Sequence, residues 1–206
     1  PSLSKLTAHA KLACAGVPTP HTIAGTKTAL IAAGPAVYGN LAFPLILKRA
    51  DADRGIDNYK VSSMDEVNQI LAPQEARSIW LLQEFVPNDG FYLVSFYDQK
   101  PVFSIFRSLE VRPDSNAQKA HMFKPKGGAN ARLVDLAEVP KPVIETCRRA
   151  IDTMNRQIGS VDCLYDPATE QANVLEVNYN PQLVTIETFK EVRIQAFLEG
   201  LKKIDK

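Results

Sequence analysis

Two acids and an amide near the end of the chain, Asp162, Glu176 and Asn178, offer the clearest prospect of chemistry. Asp162 lies near the start of one strand-like segment, Val161–Tyr165, and Glu176 and Asn178 close another, Asn173–Asn178, with Asp166-Pro167 between them. Strand side chains alternate between faces, so Glu176 and Asn178 point the same way. A hairpin folded around residue 170 sets Asp162 opposite Asn178, and the three side chains then present only oxygen on one face. That donor set suits Mg²⁺ or Mn²⁺, hard cations that take one or two carboxylates and complete their shell with phosphate and water. Solvent-facing hairpin residues can carry the same pattern, so spacing alone does not decide.

Lys48 ends the apolar run Phe43–Lys48. Lysine is seldom buried without a partner, so an ammonium ending a buried strand beside a cleft is a fair phosphate ligand. It can equally snorkel to water. Gln83, Glu84, Phe85 and Val86 end a further apolar strand and lead into Pro87-Asn88-Asp89-Gly90. A connection of this kind between two lobes can offer hydrogen bonds to a purine edge, although apolar strands ending in polar loops are commonplace. No Ser-His-Asp or Cys-His set is found. His9, His21 and His121 are scattered and read as surface or helix residues.

These residues must be held by the elements around them. Leu3, Leu6, Ala10, Ala13 and Cys14 recur near helical spacing over residues 3–15, which Gly16 ends and Pro18 and Pro20 extend. Thr26 caps a short helix to about Ala33. Phe43–Lys48 and Asn58–Val61 read as paired strands, and Ser63 to Glu66 has capping-box spacing for a helix to about Leu71. Ile79–Phe85 is a strand; Phe91–Tyr97 and Pro101–Phe106 form a hairpin around residues 98–100. Residues 107–130 are polar and irregular, a length that inside a domain usually signals function or disorder. A helix is expected over Pro140–Ile158, with Pro142 in its first turn and Gly159 at its end, and a closing helix over Ile186–Ile204. The class is α+β: two lobes with mainly antiparallel sheets and a cleft between them, residues 1–85 (with a helical lead-in, 1–16) and 86–206.

Lys+Arg 24 against Asp+Glu 23 leaves net charge +1, which removes any bulk electrostatic case for nucleic acid or membrane partners. No apolar run approaches a membrane span. Cys14, Cys147 and Cys163 are odd in number and far apart, as expected of free thiols in a reducing, cytoplasmic setting. The chain of 206 residues opens at Pro1 without Met, as a piece of a longer protein would.

In order along the chain, these segments resemble the ATP-grasp family, within it the RimK-type glutamate ligases and glutathione synthetases. Ser4-Lys5-Leu6 with Gly16-Val17-Pro18-Thr19-Pro20 is similar to the family's opening, Phe43–Lys48 to its first strand, Leu82–Val86 to its hinge, Lys126-Gly127-Gly128 to its glycine pair, and Val161–Leu164 with Leu175–Pro181 to its metal hairpin. The resemblance covers nearly the whole chain. It implies an ATP-grasp fold gripping ATP between the lobes, with a carboxylate activated as an acyl phosphate and passed to an amine. Small-molecule or peptide acids and amines would be the substrates, and a preceding N-terminal domain is expected. By position, Lys5 and Lys48 would contact phosphates, with Arg54 and Gly55 in the phosphate loop and Gly127 and Gly128 nearby. Gln83, Glu84, Phe85 and Val86 would hold adenine, with Asp89 standing in for a ribose-binding acid where Tyr92 takes its usual place. Arg107 and Lys126 would be the catalytic cations, and Asp162, Glu176 and Asn178 would hold Mg²⁺ or Mn²⁺. The loop 49–57 departs from the family in keeping only Gly55 and adding acids. An inositol-phosphate-kinase-like phosphotransferase, using Lys119, Lys124, Lys126 and Arg132, and a non-catalytic nucleotide-binding module are the alternatives.

Overall fold

The computed structural model describes residues 4–37, 39, 41–52, 57–108, 131–179 and 189–202. Its elements run α1 (Lys5–Cys14), β1 (Thr22–Thr26), α2 (Lys27–Val37), β2 (Leu45–Arg49), β3 (Asn58–Val61), α3 (Met64–Leu71), β4 (Ile79–Glu84), β5 (Gly90–Tyr97), β6 (Lys100–Ser108), β7 (Ala131–Val134), α4 (Lys141–Thr153), β8 (Ile158–Asp166), β9 (Gln171–Asn178) and α5 (Lys190–Lys202). They build two antiparallel sheets, ordered β1-β4-β2-β3 and β7-β6-β5-β8-β9. The α+β class and its mainly antiparallel sheets are as the sequence predicts.

The first sheet buries Leu45, Leu47, Val61, Trp80 and Leu82 against Leu30 of α2 and Val67, Ile70 and Leu71 of α3. Ser63 caps α3 by accepting from the Glu66 amide, while the Glu66 carboxylate accepts from the Ser62 amide, so the predicted capping box forms with its return bond one residue early. Thr26 caps α2 by accepting from the Ala29 amide. Sequence reasoning missed β1, whose Thr22–Thr26 run pairs with Gln83–Ile79 along the sheet edge.

In the second sheet Val94, Phe96, Val161, Cys163 and Val177 pack under α4, which contributes Val143, Cys147, Ala150 and Ile151. Leu12 and Val17 join this same core, so the helical lead-in rests on the second sheet. The buried face of α1 is His9 and Leu12, whereas Ala10, Ala13 and Cys14 are exposed. The expected apolar stripe was therefore the wrong face of the helix. Asp98 and Gln99, both at positive φ, make the two-residue turn between β5 and β6.

Three further expectations are corrected. The long helix ends at Thr153, not Ile158: Asn155 takes a left-handed conformation (φ 51°) just beyond it, and Ile158 already begins β8. Gly159 is thus a strand residue. A Cβ there would lie 3.0 Å from Ile151 Cδ1 and 3.1 Å from the Asn178 carbonyl, so glycine permits close packing of helix on sheet. Arg107 and Ser108, expected to open the irregular segment, instead end β6, and Ala131–Val134, for which the sequence suggests no element, forms the edge strand β7. Among the described residues α5 begins at Lys190; its expected start, Ile186, lies outside them. The remainder of the irregular segment, residues 109–130, lies outside the described residues.

Candidate functional site

The hairpin of β8 and β9 sets the acids in a register different from the expected one. Asp166 pairs with Gln171, three residues nearer the turn than a fold around residue 170 would have it, and Asp166 holds that turn by accepting from the Ala168 amide and the Thr169 hydroxyl. Counting from there would set Asp162 opposite Leu175. A bulge intervenes: Cys163 pairs with Val174 and Asp162 with Glu176, leaving Leu175 as the extra residue. Asp162 therefore faces Glu176 directly, and Asn178 faces Ser160. The expectation that Asp162 would lie opposite Asn178 fails, but residues opposite each other share a face. Asp162, Glu176 and Asn178 thus do stand together, on the side of the sheet away from α4.

Two carboxylates across one ladder rung repel. Burial first, and the Glu176 charge second, push the Asp162 carboxyl up from 3.8 to about 7, while Arg107 and Arg193 act against the shift. Asp162 Oδ1 is buried and makes no hydrogen bond among the described residues. Arg107 reaches this face from β6, its guanidinium 6.0 Å from the Phe91 ring. Arg193 comes from α5, only 6% exposed and 5.3 Å over the Phe103 ring. Burial lowers both guanidinium pKa values, that of Arg193 to about 10, and Asp162 offsets part of each shift. Sequence reasoning missed Arg193; its only signal is an arginine inside an otherwise mixed helix.

The fit of a divalent cation follows from these atoms. The site offers oxygen donors only and carries a buried carboxylate oxygen without a hydrogen bond, and an added positive charge would relieve the Asp162–Glu176 repulsion. No group of three or more His, Cys, Asp or Glu side chains forms a metal cluster among the described residues. Two carboxylates and an amide make a set that leans on a ligand's own oxygens, and in this sense the residues fit Mg²⁺ or Mn²⁺.

On the first sheet Lys48 is 8% exposed, with its stem on the face opposite Leu45 and Leu47. Its ammonium donates to Gln83 Oε1 at 2.9 Å. Desolvation lowers its pKa to about 8; Glu176 pulls the other way and Lys5 adds to the lowering. The ammonium of the first sheet thus senses the carboxylate of the second. Gln83, 2% exposed, is itself held by His9 Nε2 at 2.6 Å and Thr22 Oγ1 at 2.7 Å. Lys5 lines a small pocket with Ala8, His9, Leu12, Leu175, Glu176 and Val177. Its ammonium donates to the Ala52 carbonyl, tying α1 to the segment after β2. Arg49 braces that segment by pairing with Asp51 at 2.9 Å and Asp57 at 3.0 Å, so two of the acids expected to burden the loop have a cation of their own.

The connection between the sheets is less committed. Glu84 is exposed and its carboxylate accepts from the His21 amide at 3.3 Å. Lys60 sits 3.8 Å over the Phe85 ring. The Val86 carbonyl is taken by the Asn88 side chain at 2.7 Å, and Asp89 is exposed. Tyr92 turns to the α4 side of the sheet and packs edge-on to Phe106. Arg54, Gly55, Lys126, Gly127 and Gly128 lie outside the described residues.

No family model and no curated protein sequence matches the chain. Solved structures do. D-alanine–D-alanine ligase from Bacillus anthracis in complex with ATP superposes with a TM-score of 0.68 at 18% identity, covering 97% of this chain and 66% of that one. D-cycloserine synthetase DcsG gives 0.66 at 20% identity, covering 96% and 69%. A RimK domain ATP-grasp protein from Sphaerobacter thermophilus gives 0.61 at 15%, covering 94% and 64%. The chain spans about two thirds of the length of these proteins. With its two antiparallel sheets and these structural likenesses, the chain has the ATP-grasp fold.

Proposed function

We propose that this chain is the ATP-binding part of a carboxylate–amine ligase whose two lobes, residues 1–85 and 86–206, close on Mg²⁺-ATP or Mn²⁺-ATP. The observation that carries the reading is the pairing of Asp162 with Glu176 beneath a buried lysine of the opposing sheet that feels the Glu176 charge. ATP-grasp ligases of the same fold, one of them solved with ATP, support it.

Phosphoryl transfer asks little covalent chemistry of a protein and much positioning of charge. Lys48 and Lys5 supply cations on the side of the first sheet and α1, where the dry surroundings of Lys48 strengthen its field. Arg107 brings a rigid fork of donors to the second sheet, suited to a phosphoryl group in transfer or to the acyl phosphate that would form. Neutralisation of phosphate charge is what a divalent cation held by Asp162, Glu176 and Asn178 supplies. Glu84 and the Val86 backbone offer the adenine edge its partners, with the Asn88 side chain giving way at the Val86 carbonyl. Substrates would be small-molecule or peptide acids and amines, in a cytoplasmic setting. No described helix is long and apolar enough to cross a membrane, and Cys14, Cys147 and Cys163 are free thiols.

Against a kinase-like reading, Arg132 stacks 5.3 Å from Phe106, on the face of the sheet away from Asp162. The test is incubation with Mg²⁺-ATP and panels of amino acids, paired acids and amines, and inositol phosphates. ADP release that requires both an acid and an amine is expected. Release driven by an inositol phosphate alone, or nucleotide binding without turnover in any mixture, would replace the ligase reading.

A further inference from the structure

We infer that His9 is a positioning residue: acting through Gln83, it fixes the direction in which Lys48 presents its ammonium. The inference rests on the ATP reading only for the identity of the ligand that Lys48 meets. Its geometry stands on three hydrogen bonds. The amide nitrogen of Gln83 has two N–H groups, and both are spent, on His9 Nε2 at 2.6 Å and Thr22 Oγ1 at 2.7 Å. The amide oxygen is left for Lys48, at 2.9 Å. Turning the amide over would set its NH₂ against an ammonium, donor against donor, and its oxygen against the imidazole acceptor.

This assignment fixes the tautomer of His9. To accept from Gln83, Nε2 must carry no proton, so the ring proton resides on Nδ1. Burial and the nearby Lys48 charge hold the imidazole neutral, its pKa lowered to about 4. His9 and Gln83 are 7% and 2% exposed, so water is a poor substitute partner for either. A lysine stem has four rotatable bonds and loses much rotamer freedom when held. Securing one of the three ammonium donors on Gln83 supplies that ordering before a ligand arrives, leaving two for phosphate. α1 thus bears on the site twice, at Lys5 and at His9 one turn later.

Two measurements decide the matter. Nitrogen-15 NMR of the His9 ring in the parent protein without nucleotide should show the Nδ1–H tautomer; an Nε2–H ring overturns the chain. Calorimetric titration with Mg²⁺-ATP should show His9→Leu binding about tenfold more weakly, the scale of one hydrogen bond to a charged group. His9→Gln, whose side-chain oxygen can accept where Nε2 did, should return within about threefold of the parent. In a Lys48→Met background His9→Leu should cost nothing further. An equal loss in that background, or none in the parent, shows that His9 does not act through Lys48. Should the parent bind no Mg²⁺-ATP, the nucleotide reading fails on its own. The tautomer, together with the shift of the Lys48 ammonium signal on His9→Leu, still decides the positioning role.

Discussion

On the first sheet the cluster of Lys48, Gln83, Thr22 and His9 closes on itself, with Gln83 satisfied by three protein partners and a lysine already aimed. On the second sheet Asp162 faces Glu176 across a ladder rung, keeps an oxygen without a hydrogen bond among the described residues, and has its carboxyl raised to about 7. Both clusters are buried and polar, and burial opposes charge in both, yet the first has its hydrogen bonds satisfied and rests on them, while the second sets like charges together and carries the larger load. Satisfied buried networks rigidify; buried charge short of partners is costly until a counter-charge arrives. On the proposed reading, the first face points a cation and the second receives one.

Neutralising the loaded face should give the largest effect. Between pH 3.8 and about 7 the folded Asp162 keeps a proton that the unfolded chain releases, so its contribution to stability falls as pH rises through that window. Asp162→Asn removes the load and should stabilise the metal-free protein by up to about 4 kcal/mol above pH 7, while abolishing Mg²⁺-dependent nucleotide binding. Urea titrations at pH 5 and pH 8, with and without Mg²⁺, would show it. Equal stability of variant and parent at pH 8 would mean that the two faces do not differ as described.

Lys48→Met probes the resting face and should cost about 1.5–3 kcal/mol of ATP affinity by calorimetry. With the Lys48 pKa lowered from 10.5 to about 8, the unfolded chain holds the extra proton between those values. Parent stability should therefore rise with pH over that range, and the variant should not share the rise. Lys100→Met, at the exposed start of β6, is the control and should stay within about 0.5 kcal/mol of the parent in both assays. Gly159→Ala disturbs the loaded face from behind, through Ile151 and the Asn178 backbone. A loss of about 1–2 kcal/mol in stability is expected, with the His9 tautomer unchanged. A changed tautomer would show that the faces are mechanically coupled rather than separate.

Much of this fold is legible in sequence because local signals agree with it. Asn58–Val61 has the expected bounds, Ser63 and Glu66 cap α3, and Phe91–Tyr97 pairs as a hairpin with its neighbour. The site is legible where alternation alone governs, as for Glu176 and Asn178. It fails where tertiary packing chooses among equal local patterns. Alanines made one stripe of α1 look apolar, but the core took the stripe of Leu12, and His9 went in with it. Gly159 reads locally as a helix stop, whereas its purpose is set by Ile151 and Asn178. No turn signal near residue 170 discloses a bulge at Leu175, because its cause is the need for both Val174 and Val177 to reach one core.

That bulge also governs how the hairpin can change length over evolutionary time. Ala172 and Val174 ahead of it and Val177 beyond it all enter the α4 core, so even and odd positions exchange roles at Leu175. An insertion among residues 167–170 can loop into solvent and leave every pair in place. A deletion at Leu175 would only remove the bulge, leaving Val174 and Val177 in the core and Glu176 and Asn178 at the cleft, whereas a deletion at Val177 would turn Asn178 into the apolar core, harming fold and site in one event. Length drift in this lineage should therefore concentrate in the turn and at the bulge, while the paired residues of the strand keep their count even as their side chains vary.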